Sequence, residues 1–153
     1  MVDLLIPYAW QEKDDQIILN DVEGKTINVM GIMNTKNEIY YESYETNTNS
    51  DKVIKFLDRF SGTIKMRTVI LLDQASIHTS DKIMERLEYW KEKNLELFWL
   101  PAYSPKLNLI EILWKFMKYE WIEISAYDSH NNLQEYINKT LKLFGSEYVI
   151  NFA

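Results

Sequence analysis

Thr68-Val69-Ile70-Leu71-Leu72-Asp73 decides the fold. Five residues apolar at both alternating positions read as a strand covered on both faces, and the run stops at an acid. Downstream, Ile83, Met84, Leu87 and Trp90 recur at helical spacing, and a second apolar run, Leu95 to Leu100, is closed by Pro101. Strand, helix, strand in this order implies a parallel crossover with Asp73 at the carboxyl tip of its first strand.

Working outward, Gln16–Asn20, Ile27–Met33 and Glu38–Tyr44 read as β-runs, the last two joined by the turn-rich Asn34-Thr35-Lys36-Asn37. This is an antiparallel meander. Ser50 serves as an N-cap for a helix carrying Val53, Ile54, Leu57 and Phe60, with Gly62 as its stop. Past the loop Ala102–Leu107, the residues Ile110, Leu113, Trp114, Met117 and Trp121 make an apolar stripe, with Glu111, Lys115 and Lys118 on another face. A last helix over roughly Leu133–Phe144 ends at Gly145, a C-cap. The fold class is α/β with a mixed sheet flanked by helices.

Composition narrows the class further. A chain of 153 residues with 46% apolar side chains buries one core, so residues 1–153 are read as a single domain. There is no cysteine, which excludes disulfides, zinc fingers and thiol nucleophiles. The start Met1-Val2-Asp3-Leu4-Leu5-Ile6-Pro7 lacks the basic, apolar pattern of an export signal, and no run of ~18 apolar residues exists, so a cytoplasmic or nuclear protein with no membrane partner is expected. A formal net charge of -6 argues against gripping duplex DNA by bulk electrostatics, yet suits a site of carboxylates that hold divalent cations.

Asp73 and Glu111 are the candidate catalytic and metal-binding residues. Ligands of open α/β sheets bind at the carboxyl ends of strands, where both acids fall. Two-metal phosphoryl transfer needs hard oxygen donors holding two cations ~3.5–4 Å apart. Plainer readings compete: Asp73 as a turn residue, and Glu111 as half of a capping box with Asn108 or as an ion-pair partner of Lys115.

The surrounding residues discriminate. Leu72-Asp73-Gln74-Ala75-Ser76-Ile77-His78, then Leu100-Pro101-Ala102-Tyr103-Ser104-Pro105-Lys106-Leu107-Asn108-Leu109-Ile110-Glu111-Ile112-Leu113-Trp114 and Lys118, resemble the DDE transposases of the mariner superfamily. More narrowly, they are similar to the transposases of bacterial insertion sequences. Weaker similarity covers Pro7-Tyr8-Ala9-Trp10 and Ile27–Tyr44. The resemblance implies a ribonuclease H-like fold and a two-metal site for Mg2+ or Mn2+. It also implies that Asp73 and Glu111 are the second and third carboxylates of an acidic triad. The implied activity is cleavage of DNA at transposon ends and transfer of the freed strand to target DNA, in the bacterial cytoplasm and in association with the nucleoid.

Three departures from the family stand out. Gln74 replaces the usual Asn, and Leu109 the usual Pro. The first triad Asp belongs on an opening strand ahead of Pro7–Trp10, and that strand is largely missing; Asp3 is the one early candidate. The family fold sets the opening strand between the meander and the strand ending at Asp73. Unless Val2–Ile6 fills that slot, buried backbone groups stay unpaired. The chain is therefore expected to be an N-terminally truncated catalytic core without its helix-turn-helix region.

Smaller expectations attach to four residues as DNA contacts, each beside a plainer reading: His78, otherwise a metal-shell contact or a hydrogen-bonded structural residue at a helix entrance; Tyr103, otherwise a residue that shapes the loop before the helix; and Lys115 and Lys118, otherwise solvated partners of Glu111. Trp114 and Trp121 are assigned to the core. Expected partners are DNA and either a second copy of the chain or a full-length transposase. The alternatives in function are an inactive fragment acting as a dimerisation or inhibitory partner, and another ribonuclease H-like endonuclease.

Overall fold

The computed structural model of the chain describes residues 27–102, 104 and 107–152. The expected strand Gln16–Asn20, the segments Val2–Ile6 and Pro7–Trp10, and the candidates Asp3 and Tyr103 lie outside the described residues.

Strands β1 (Asn28–Met33) and β2 (Ile39–Tyr44) pair antiparallel, with Asn28 opposite Tyr44 and Met33 opposite Ile39. Their turn is set by Asn34, whose side-chain oxygen accepts the amides of Lys36 (2.9 Å) and Glu38 (3.2 Å). Asn37 takes the left-handed conformation at φ 61° that an Asx residue tolerates. Helix α1 (Ser50–Ser61) follows, then β3 (Thr68–Leu72), α2 (Asp81–Glu92) and β4 (Leu95–Trp99). β3 and β4 pair in parallel, Thr68 beside Leu95 and Leu72 beside Trp99, so the α2 crossover is as expected. Helix α3 (Leu109–Phe116) runs into a π-helical turn (Met117–Trp121), and after a short 3-10 turn α4 (His130–Leu143) follows.

Two cores organise these elements. Val53, Phe56 and Leu57 of α1 meet Ile70, Ile83, Trp90 and Leu95 in one; Val29 of β1 meets Leu113, Trp114, Met117 and Ile137 in the other. The α1–α2 contact is fixed by Asp58, which accepts the fully buried Trp90 indole N–H (2.8 Å) and the Arg86 guanidinium (2.9 and 3.1 Å). α3 comes close to β1 at Gly31, where a Cβ would lie 3.2 Å from Ile110 and 3.3 Å from the Trp114 ring.

Several expectations are corrected. The N-cap of α1 is Asn49, whose side chain accepts the Lys52 amide (3.0 Å); the Ser50 hydroxyl instead donates to the Ile77 carbonyl (3.1 Å). Met84 is exposed, because α2 buries only a narrow stripe centred on Ile83 and Trp90. The stripe from Ile110 to Trp121 is not one α-helix, since the backbone widens to a π turn at Met117. Among the described residues the strands form two separate pairs rather than one mixed sheet. β3 is covered on one face only: Val69 and Leu71, about half exposed, share the other face with Phe98. Gly145 does follow the last helix in a left-handed conformation (φ 88°), and a Cβ there would come within 2.6 Å of the Asn37 carbonyl oxygen.

Candidate active site

β3 ends where its last carbonyl, on Leu72, accepts the amide of Leu100 (2.7 Å), and the chain then turns. Gln74 fixes the turn from one side, its side-chain amide donating to the Leu100 carbonyl (2.9 Å). The His78 carbonyl accepts the Trp99 indole N–H (3.1 Å), and the neighbouring Ile77 carbonyl takes the Ser50 hydroxyl. A loop tied to β4 and to the start of α1 has little freedom, so the side chain it carries is held in place.

That side chain is Asp73. Its Oδ1 accepts the Ala75 amide (3.1 Å) and lies 2.7 Å from His78 Nδ1. A carboxylate can only accept, so the imidazole proton sits on Nδ1. Burial pushes the Asp73 carboxyl up, but the Ala75 amide and the His78 ring together outweigh burial and hold it below the usual carboxylate range. The His78 side chain is 17% exposed and Asp73 43%, so the imidazole stands behind the carboxylate and the acid faces outward.

Glu111 sits in the first turn of α3, where a negative charge favours the exposed amides. Its amide bonds to the Asn108 carbonyl (3.1 Å), and its Oε1 accepts the Asn108 side-chain amide (3.2 Å). The expected capping box does not form: with its amide nitrogen turned to Glu111, the Asn108 side chain makes no cap hydrogen bond to the helix backbone. No ion pair joins Glu111 to Lys115, which points into solvent; the Lys118 ammonium lies 5.3 Å over the Tyr119 ring.

Asp73, His78, Asn108 and Glu111 line one cavity of about 340 Å3. It reaches back between β1 and β3, with walls from Val53 and Phe56 of α1 and Ile110 and Trp114 of α3. Two carboxylates and an amide at one opening are hard oxygen donors, the type divalent cations such as Mg2+ take. Among the described residues no cluster of three or more metal-capable side chains occurs. Sequence reasoning took Asn108 for a cap and Gln74 only for a departure from the family's usual Asn, so it missed their roles as the residues that orient Glu111 and lock the Asp73 loop. The spacing Asn108-x-x-Glu111 was the available signal, read in the wrong direction.

Fold and site together define an acid-lined α/β protein. The chain belongs to the family of DDE superfamily endonucleases, which matches residues 3–134, and so to a nuclease kind of enzyme. It is also similar to "Uncharacterized protein y4pE/y4sA" of Sinorhizobium fredii (strain NBRC 101917 / NGR234), 31% identical over 65 residues. That stretch is 42% of this chain and spans 44% of the relative's length. Among the described residues no helix is long and apolar enough to cross a membrane.

Proposed function

We propose that the chain is the catalytic core of a DNA transposase of the mariner superfamily, with a ribonuclease H-like arrangement, that cleaves DNA strands and transfers them. The observation that carries this reading is the shared cavity of Asp73, at the tip of β3, and Glu111, in the first turn of α3. Asp73 and Glu111 would hold Mg2+ or Mn2+, which supplies activation of an attacking oxygen and stabilisation of a leaving one at phosphorus. The chain's own residues do the positioning. Ala75 and His78 keep Asp73 ionised and aimed, and Asn108 turns Glu111 toward the same opening. Lys115 and Lys118, one and two turns further along the same helical segment, offer charge to the DNA backbone, and Tyr103 is the aromatic candidate for stacking on a base. The proposed setting is the bacterial cytoplasm.

Supercoiled plasmid in Mg2+ or Mn2+ tests the reading, with pre-cleaved transposon-end DNA as a second substrate. Nicking and joined product are expected from the unmodified chain and not from Asp73→Asn or Glu111→Gln. Nicking without joined product selects a plain endonuclease. A second reading is favoured by the bare apolar face of Val69, Leu71 and Phe98: the chain acts as an association partner of another transposase copy. Co-purification with an intact homologue, combined with no nicking, selects it.

A further inference from the structure

Asn108 stands at the N-cap of α3, where an asparagine ordinarily turns its side-chain oxygen to a helix amide. Here that bond is absent, and the Asn108 Nδ2 donates to the Glu111 Oε1 at 3.2 Å. Among the described residues this is the only side-chain hydrogen bond of either residue, so the Asn108 Oδ1 and the Glu111 Oε2 stand without a donor. Both residues line the same cavity as Asp73, and neither pairs with a cationic side chain among the described residues. Oxygens that no N–H reaches, gathered beside a second carboxylate, are what a hard divalent cation takes.

We propose that Asn108 is itself a ligand of the divalent cation, which it reaches by a half-turn of its side-chain amide; this rests on the reading of Asp73 and Glu111 as cation-binding carboxylates. The spacing supports it. Mg2+ holds its oxygens at ~2.1 Å in an octahedron, which sets neighbouring ligand atoms ~3 Å apart. The ends of the Asn108 and Glu111 side chains already lie 3.2 Å apart, with a nitrogen where the second oxygen would stand. Exchanging Nδ2 and Oδ1 leaves the rest of the side chain in place, and the torsion that does so is broad and roughly two-fold. A neutral amide also suits this place better than a third acid. Without a cation it donates to the Glu111 carboxylate, whereas a carboxylate three residues before Glu111 would repel it. One residue thus serves the site in both states, as a donor to Glu111 without the cation and as a ligand beside Glu111 with it.

Asn108→Asp separates a ligand from a residue that only aims Glu111, because aspartate keeps the oxygen and loses the N–H donor. In calorimetric titration with Mn2+, Asn108→Ala should bind at least ~10-fold more weakly than the parent, and Asn108→Asp should recover at least ~10-fold over Asn108→Ala. A residue that only aims Glu111 predicts an aspartate variant no better than the alanine one. Smaller recovery, or an alanine variant that binds as the parent does, overturns the proposal. The unmodified chain gives a second readout with no added charge. In NMR of 15N-labelled side-chain amides, the Asn108 pair is identified by its disappearance in Asn108→Ala. One of its protons should carry the downfield shift of a hydrogen bond to a carboxylate without Mg2+ and lose that shift when Mg2+ is added. A shift that persists at saturating Mg2+ overturns the proposal, and this holds even if a variant fails to fold. Absence of Mn2+ binding in the parent overturns the Asp73 and Glu111 reading together with this one. Parent binding that Asp73→Asn and Glu111→Gln weaken, without recovery in Asn108→Asp, overturns the ligand assignment of Asn108 alone.

Discussion

Replacing Gly31 with valine should loosen the helix that carries Glu111. A Cβ at Gly31 would lie 3.2 Å from the Ile110 Cδ1 and 3.3 Å from two carbons of the Trp114 ring, tighter than ordinary contact, and valine adds two methyl groups beyond it. Overpacking of this kind costs ~1–3 kcal/mol. Removing a glycine from a strand interior returns ~0.5–1 kcal/mol through the unfolded chain. The net is a destabilisation of about 1–2 kcal/mol, or a fall of ~2–8 °C in Tm for a chain this long. Gly31→Ala, with only the Cβ to accommodate, should be close to neutral. Trimming the opposing side chain isolates the contact: in Gly31→Val/Ile110→Val the cost should be ~1 kcal/mol smaller than the sum of the single variants. Thermal and urea unfolding of the four proteins measure this. Strict additivity, or a Gly31→Val protein as stable as the parent, would refute the claim that α3 is seated on β1 through this gap.

Other consequences follow from particular contacts. Trp90→Ala empties a fully buried site and removes one of the donors to Asp58, so it should cost ~3–5 kcal/mol in urea unfolding, whereas Leu71→Ser on the bare face should change stability by under ~0.5 kcal/mol. The buried Tyr127 hydroxyl has no hydrogen-bond partner among the described residues, so Tyr127→Phe should leave stability at pH 7 unchanged or raise it by up to ~1 kcal/mol. Burial pushes the Tyr127 hydroxyl up to about 12 from 10.0. The stability linked to its neutral form is therefore full below 10.0 and lost as pH rises toward about 12, a loss that Tm measured across that range should show in the parent and not in Tyr127→Phe. Asp73, held below the usual carboxylate range, stabilises the fold above that range and stops doing so as pH falls through its lowered value. In His78→Ala this acid-side loss should be smaller and complete at a higher pH than in the parent, where its amplitude is under ~1 kcal/mol because Asp73 is partly exposed.

The parts of the fold legible in the sequence are those where one residue pattern has one physical solution. β3 runs from Thr68 to Leu72 as the uninterrupted apolar run requires, and the parallel partner Leu95–Trp99 stops one residue short of the expected Leu100. Gly145 takes the left-handed conformation that its place after a helix implies. What stayed hidden depends on neighbours far away in the chain. Nothing local to Val69 and Leu71 says that one face of β3 is bare, and Met84 and Ile83 are equally apolar although only Ile83 meets the α1 core. At the site, Asp73 and Glu111 could be named from their places at a strand tip and a helix start. A hydrogen-bonded structural role for His78 was legible too, though not its partner Asp73; the work of Ala75 and Asn108 was not, because it depends on the direction of individual hydrogen bonds around a shared cavity.

Calorimetric titration of Mn2+ into the unmodified chain, Asp73→Asn, Glu111→Gln and the double variant bears most directly on the proposed chemistry. Two carboxylates serving one site predict binding in the parent that falls at least ~10-fold in each single variant, with a double variant little worse than either one. Unchanged Mn2+ affinity in both single variants would contradict the assignment of a shared cation site to Asp73 and Glu111.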